Sequence, residues 1–204
     1  MKYDVIIVGA GPGGIYSAYE LMKKCSDKKI AVFDSGYSLK KRHCPIDGEK
    51  VKACIKCKSC SIMSGFGGAG AFSDGKYNIT NDFGGTLYEY IGKKAATELM
   101  QYVDDINMAH GGEGTKMYST AGTNLKKVCL QNRLLNASVR HLGTDINLVV
   151  LGRLYDELKE HVDFYFESPV SHIECLENGG YRVWSNDKSY DCEKCIVSVG
   201  RSGS

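Results

Sequence analysis

The sequence lacks long apolar runs, a surplus of one charge and any sign of export. Strictly apolar stretches last only a few residues, and a strand pattern begins almost directly after Met1, so no membrane span or secretory signal is predicted. Lys and Arg number 26 against 24 Asp and Glu, a formal charge of +2. That balance gives no reason to expect a nucleic-acid or membrane partner. We therefore expect a soluble, cytoplasmic protein.

Cysteine, by contrast, is abundant, and nine residues of this type are more typical of thiols or metal ligands than of a disulfide framework in that compartment. Four of them form a group: Cys44, which precedes Pro45, and then Cys54, Cys57 and Cys60 in C-x2-C-x2-C spacing. This spacing suits three corners of a [4Fe-4S] cluster, with Cys44 as the fourth ligand. A zinc site and a set of free or redox-switching thiols are the alternatives.

The first 34 residues have the pattern of a strand, a glycine turn, a helix and a second strand. A buried-strand run precedes the string GAGPGG at 9–14, an apolar stripe follows it at helical spacing, and a second apolar run, 30–33, ends at Asp34. Together these features are typical of a dinucleotide-binding βαβ unit. The alternative is a tight strand-to-helix turn in an α/β protein that binds no nucleotide.

If the unit binds a dinucleotide, glycine is needed at positions 9, 11 and 14 for three different reasons. Gly9 lets the chain turn sharply off the strand, Gly11 lets the backbone approach a pyrophosphate, and Gly14 lets the helix pack closely on the sheet. The helix N-terminus offers N–H groups and a positive dipole end to the phosphates. Asp34 is placed to accept hydrogen bonds from ribose hydroxyls.

The remaining pattern predicts a three-part organisation. Residues 1–95 form the first part of the nucleotide-binding domain and include a long Cys- and Gly-rich loop over 37–85; residues 96–140 form a helical or irregular insertion; residues 141–204 complete the domain. Helices are predicted over about 87–109 and 145–161. Short strands from 163 onward, with turn glycines at 179 and 180, predict an antiparallel meander that leads into an apolar strand over 194–200.

This order of elements resembles the two-dinucleotide-binding-domain FAD oxidoreductases of the glutathione-reductase-like superfamily. The strings GFGGAGAFSDGKYN at 65–78 and HLGTD at 141–145 are similar to those of an uncharacterised bacterial and archaeal group of FAD-dependent dehydrogenases. The first string also resembles the glycine-rich G-R-C-N loop of related flavoproteins. The resemblance extends over nearly the whole chain and is weakest over 100–135.

The resemblance implies an α/β fold: a Rossmann-like FAD-binding domain with a central parallel sheet, a small antiparallel β-meander and a helical insertion. It implies that the glycine turn and the residues after the second strand contact FAD. Val170 would offer its backbone to the adenine, and Gly200 would lie by the phosphates. The loop over 67–78 would cover the flavin side of the cofactor. The implied cofactor-binding residues are Gly9, Gly11, Pro12, Gly13, Gly14, Asp34, Ser35, Gly67, Gly68, Ala69, Ser73, Asp74, Lys76, Val170 and Gly200.

The expected function is an FAD-dependent oxidoreductase that acts on a small-molecule substrate or exchanges electrons with a donor or acceptor such as NAD(P)H. No catalytic acid or base can be named from the sequence. Flavoproteins of this architecture usually continue into a substrate domain and a last FAD-contacting strand and helix, whereas this chain stops at Ser204. We therefore expect a truncated chain, and the alternative function is a non-catalytic FAD-binding module.

Overall fold

A computed structural model describes residues 1–120, 137–177 and 179–200. The chain divides into two compact units: Met1–Ala71 together with Leu154–Ser204, and Phe72–Arg153. The predicted insertion over 96–140 lies partly outside the described residues. Among the described residues no helix combines the length and the apolar character needed to cross a membrane.

The described residues form nine β-strands and four α-helices. The strands are β1 (Lys2–Val8), β2 (Ile30–Phe33), β3 (Lys76–Ile79), β4 (Met117–Ser119), β5 (Ser138–His141), β6 (Val162–Tyr165), β7 (Val170–Cys175), β8 (Tyr181–Ser185) and β9 (Lys188–Val197). The helices are α1 (Pro12–Lys24), α2 (Leu87–Ile91), α3 (Lys93–Asn107) and α4 (Gly143–Leu158).

A six-stranded sheet in the order β6-β2-β1-β9-β8-β7 forms the centre of the first unit. Its four strands β6, β2, β1 and β9 run parallel, and β8 and β7 follow antiparallel. Val5 pairs with Ile30 of β2, and Ile6 pairs with Cys195 of β9. The parallel strands β1 and β2 are buried on both faces, which explains why their sequences are nearly continuous apolar runs.

The two faces of the parallel sheet have different coverings. On one face Ile6, Val8 and Phe33 belong to a buried cluster that also contains Val183 of β8 and Cys192 of β9. On the other face α1 packs close to β1, and a Cβ atom at Gly14 would lie 3.4 Å from the Ile7 side chain. Strand β1 therefore faces α1 on one side of the sheet, and on the other side its side chains share a buried cluster with side chains of β8 and β9 from the same sheet.

Strand β9 is one continuous strand of ten residues, where the sequence pattern predicts two separate segments. It pairs antiparallel with β8, with Ser189 opposite Trp184, and parallel with β1 on its other side. The β8–β9 connection is a two-residue turn in which Asn186 and Asp187 have φ angles of 47° and 59°, as a hairpin turn of the I′ type requires. One strand thus joins the meander to the parallel sheet.

The second unit contains a three-stranded antiparallel sheet in the order β3-β5-β4. Lys76 of β3 pairs with His141 of β5, and Met117 of β4 pairs with Arg140. The sequence pattern predicts none of these three strands.

The prediction of a single helix over 87–109 is wrong, because Gly92, with φ of 81°, separates α2 from α3. The helix prediction depends on apolar residues at helical spacing in this segment, but three of them, Leu87, Ile91 and Leu99, each expose more than two fifths of their surface. The buried residues of α3 are Ala96, Asp104, Ile106 and Asn107. Two of these are polar, which is why apolar periodicity assigns the wrong face.

Asp104 is buried because it forms an ion pair with Arg140. Its side chain is 1% exposed, and its two oxygens accept hydrogen bonds from Arg140 Nε at 3.0 Å and Nη2 at 2.7 Å. Arg140 Nη1 also donates to the Thr115 carbonyl at 2.7 Å. The carboxylate of Asp104 raises the pKa of Arg140. This pair joins α3 to the small sheet within the second unit.

Candidate nucleotide site

A cavity of about 600 Å³ lies in the first unit, next to the carboxyl ends of β1, β2 and β9. Open α/β sheets bind ligands at this edge of their strands. The cavity is lined by Val8, Gly9, Gly11, Pro12, Gly13, Phe33, Asp34, Ser35, Met63, Ser64, Gly65, Gly68, Ala69, Gly70, Ser168, Pro169, Val170, Ser198, Val199 and Gly200.

The glycine turn forms one wall of the cavity, and its glycines serve different purposes. Gly9 has φ of 105°, its N–H donates to the Phe33 carbonyl at 2.7 Å, and a Cβ atom there would collide with the Ser198 carbonyl. A Cβ atom at Gly14 would collide with the Gly9 carbonyl. Gly9 and Gly14 are therefore required by the packing of the protein itself.

Gly11 differs from both. Its φ of −74° and ψ of −177° are open to any residue, and a Cβ atom there would meet no atom of the described residues within 4 Å. Gly11 is also the N-cap of α1, which has no side-chain cap, and Pro12 occupies the first turn. The positive end of the helix dipole therefore faces the cavity without a side chain in front of it.

Asp34 lies beside the glycine turn, and its carboxylate accepts hydrogen bonds from three backbone N–H groups. Its Oδ2 accepts from Ala10 at 2.7 Å, and its Oδ1 accepts from Gly36 at 2.7 Å and from Gly65 at 2.9 Å. A carboxylate has about four lone-pair positions, so these bonds leave about one on Oδ2. Asp34 thus connects three segments of the chain and retains room for one further donor.

The Cys- and Gly-rich segment supplies a third wall, at Met63, Ser64 and Gly65. Gly65 has φ of 107° and pairs with Tyr37 in an isolated bridge, and the Phe66 N–H donates to the Tyr37 carbonyl at 3.1 Å. The Gly67 N–H donates to the Ala10 carbonyl at 2.9 Å. Part of the segment predicted as a loop over 37–85 is therefore fixed against the glycine turn.

The structure brings most of the predicted site residues together in this cavity: Gly9, Gly11, Pro12, Gly13, Asp34, Ser35, Gly68, Ala69, Val170 and Gly200. Gly14 and Gly67 are not among the lining residues and serve the packing and the backbone bond described above. Ser73, Asp74 and Lys76 belong to the second unit and do not line the cavity. There Lys76 Nζ pairs with Asp74 Oδ2 at 2.6 Å, which lowers the pKa of Asp74.

Sequence reasoning did not find Met63, Ser64, Ser168 and Ser198 as lining residues. Ser198 follows β9, and its N–H donates to the Val8 carbonyl at 2.7 Å, so its position depends on a pairing between strands far apart in sequence. Ser168 is fixed by its N–H bond to the Asp34 carbonyl at 2.9 Å. The one signal in the sequence is position, since both residues follow the carboxyl ends of strands of the parallel sheet.

The four cysteines predicted as metal ligands are free thiols: Cys44 is partly buried, and Cys54, Cys57 and Cys60 are exposed. Among the described residues no three His, Cys, Asp or Glu side chains come together as a metal site would require. The structure therefore does not show the arrangement that a [4Fe-4S] cluster or zinc needs, and the metal site stays a prediction.

Comparison with known proteins bears on this fold. No known protein-family model matches the chain. An uncharacterised protein of Clostridium beijerinckii is 24% identical over 204 residues, which are 99% of this chain and 32% of that protein. The chain thus spans about a third of that relative's length.

Among solved structures, glycine oxidase from Geobacillus kaustophilus superposes with a TM-score of 0.54 at 15% identity, over 98% of this chain and 55% of that protein. L-Amino acid deaminase from Proteus vulgaris gives a TM-score of 0.48 at 11% identity, over 98% of this chain and 47% of that protein. The likeness to glycine oxidase, with the sheet described above, confirms the predicted α/β fold class of Rossmann-like type.

Proposed function

We propose that this chain binds FAD and forms part of a flavin-dependent oxidoreductase. The observation that carries the proposal is the open space at Gly11. Neither the backbone angles nor the packing of the described residues requires glycine there, in contrast to Gly9 and Gly14. A ligand that approaches the backbone closely explains the missing side chain, and a pyrophosphate at the N-terminus of α1 is the group that this geometry suits.

The chemical character of the cavity supports a cofactor site. Asp34 is the only titratable side chain among its lining residues; the rest are glycine, alanine, serine, proline and apolar side chains. These groups can hold a ligand, but the lining offers no second acid or base, and no His, Lys or Cys that could activate one of its serine hydroxyls or act as a nucleophile itself. FAD, when bound, would supply the hydride or electron chemistry that the lining residues lack.

In this proposal the lining residues have distinct roles. Backbone groups at Gly11 and Gly13 hold the pyrophosphate, the remaining acceptor position of Asp34 Oδ2 takes a ribose hydroxyl, Val170 borders the adenine, and Gly200 lies on the other side of the phosphates. Pro12, Ser35, Gly68 and Ala69 complete the surface. Contact of Ser73, Asp74 and Lys76 with the flavin side remains part of the proposal, carried by the family resemblance of the string at 65–78.

The class of reaction is also a proposal. The resemblance of the glycine-rich strings and the fold shared with glycine oxidase support an oxidoreductase, with a small-molecule substrate and an electron donor such as NAD(P)H. The single titratable group in the cavity favours a second candidate, a non-catalytic FAD-binding module that does not turn over by itself.

The test is a titration of the purified 204-residue chain with FAD, in which flavin fluorescence and absorbance report binding. ADP and FMN are then added as competitors for the bound FAD. We expect FAD to bind and ADP to displace it, because the cavity is proposed to hold the ADP half of FAD. We expect FMN to compete poorly, because it lacks the adenosine. No binding of FAD or ADP would refute the proposal. Reduction of the bound flavin by NADH or NADPH would favour the oxidoreductase, and reduction by dithionite alone would favour the module.

The metal site remains a separate proposal for Cys44, Cys54, Cys57 and Cys60, carried by their spacing. It requires these side chains to come closer together than the structure has them. Anaerobic purification and analysis for iron, sulfide and zinc test it. Equal iron and sulfide would indicate a [4Fe-4S] cluster, about one zinc per chain would indicate a structural site, and four thiols that react freely with an alkylating reagent would refute both.

A further inference from the structure

Arg42 is a buried cation at the base of one wall of the cavity. The residue is only 5% exposed. Its Nε donates to the Ser61 carbonyl at 2.8 Å, its Nη2 to the Ile62 carbonyl at 2.8 Å and its Nη1 to the Phe66 carbonyl at 2.7 Å. A planar guanidinium can serve three carbonyls at once, which a lysine ammonium on a flexible chain does poorly. Arg42 therefore closes the two ends of a short segment, which we call the 61–66 loop.

The closed loop presents Met63, Ser64 and Gly65 to the cavity. Its first turn is formed by Met63 and Ser64, whose N–H groups donate to the Cys60 carbonyl at 3.0 and 2.8 Å. A Cβ atom at Gly65 would lie 3.0 Å from Arg42 Cδ and would collide with the Tyr37 carbonyl. The loop thus lies tightly against both Arg42 and the segment that follows β2.

The loop in turn fixes Asp34, since the Gly65 N–H donates to Asp34 Oδ1 at 2.9 Å. The charge of Asp34 also acts on Arg42: burial lowers the pKa of Arg42, and the carboxylate of Asp34 opposes that effect. Oδ1 accepts two backbone N–H groups and Oδ2 accepts one. The direction in which the last lone pair of Oδ2 points therefore depends on the Gly65 N–H, and through it on Arg42.

From this geometry we propose that Arg42 is a positioning residue for the adenosine ribose. It holds the 61–66 loop so that Gly65 orients the Asp34 carboxylate toward one ribose hydroxyl, without touching the ligand itself. This inference rests on the proposed nucleotide site. It assigns a binding role to a residue outside the cavity, and it explains why the segment after the cysteines is fixed against the glycine turn.

The test compares the affinity of the 204-residue chain for ADP and for 2′,3′-dideoxy-ADP, which has no ribose hydroxyls. We expect Arg42→Met to weaken ADP binding about tenfold and to change dideoxy-ADP binding less than twofold. Lys40→Met, which removes an exposed neighbouring charge, is the matched control and should change neither. Arg42→Lys should recover only part of the affinity for ADP, because it cannot hold three carbonyls in the same geometry.

Each outcome separates this inference from the proposed function. If the unaltered chain binds neither nucleotide, the proposed function and the inference are both overturned. If it prefers ADP and Arg42→Met keeps that preference, or weakens both ligands equally, the positioning role is overturned and the nucleotide site stands.

Amide hydrogen exchange provides an independent test. It is measured on the unaltered chain, so it does not depend on whether the Arg42 variants fold. ADP should slow amide hydrogen exchange in the 61–66 loop more than dideoxy-ADP does at equal occupancy. Equal protection by the two ligands would overturn the role of Arg42.

Discussion

Replacement of Gly11 by valine should separate ligand binding from folding. The backbone angles at Gly11 suit valine, and a Cβ atom there would meet none of the described atoms within 4 Å. Valine is a poorer N-cap than glycine, so we expect the variant to lose only about 0.5–1 kcal/mol of unfolding free energy. In the cavity, however, its three carbons would occupy the space proposed for the pyrophosphate. We expect the Kd for FAD to rise at least about 100-fold, or about 2.7 kcal/mol.

Two measurements on each variant check this prediction: a flavin fluorescence titration for the Kd, and urea unfolding followed by circular dichroism for stability. Gly14→Ala is the control, because its Cβ atom would collide with the Gly9 carbonyl and should cost about 1–3 kcal/mol of stability. Unchanged affinity for FAD in Gly11→Val would refute the dinucleotide assignment. A loss of stability in Gly11→Val as large as that in Gly14→Ala would refute the distinction between the two glycines.

Three further predictions concern stability. Asp34→Ala removes three charge-assisted hydrogen bonds and should lower the free energy of unfolding in urea by about 2–4 kcal/mol; a loss below about 0.5 kcal/mol would contradict its connecting role. Arg140→Met leaves the Asp104 carboxylate buried without its partner and should cost about 3–5 kcal/mol, whereas a near-neutral result would show that this pair is not stabilising. Burial and hydrogen bonds to Tyr165 and Asp163 raise the pKa of Tyr3, so the stability linked to its neutral phenol is complete below about pH 10 and is lost as the pH rises further. The melting temperature of Tyr3→Phe should therefore fall less steeply between pH 9 and pH 11 than that of the unaltered chain, and parallel curves would disprove this.

The part of the structure that can be predicted from the sequence is the part fixed by local contacts. The positive φ of Gly9 and the contact between Gly14 and the Gly9 carbonyl both lie within a turn of six residues, and the apolar runs on either side define β1 and β2 without reference to the rest of the chain. The position of Asp34 follows from the length of the βαβ unit, because this residue comes directly after the second strand. For this reason the glycine turn and α1 are predicted correctly, and ten of the residues expected to bind the cofactor lie along one cavity.

The rest depends on partners that leave no mark in the sequence. Arg42 bonds backbone carbonyls, which every residue has, so no motif signals its role in a segment rich in lysine. The strands β3 and β5 are four residues each, and their pairing joins Lys76 to His141. Such short strands show too little alternation to be recognised.

The position of β9 in the sheet has a consequence for the synthesis of the chain. Strand β1 lies between β2 and β9, and ribosomes add about 5–20 residues per second, so β9, about 180 residues after β1, emerges about 10–40 seconds later. During that interval β1 can pair with β2 on one side, while the backbone groups of Ile6, Ile7 and Val8 on the other side have no strand to pair with. An apolar edge of this kind is a template for association with other chains, so the yield of folded protein should depend on how well nascent chains are kept apart until β9 arrives.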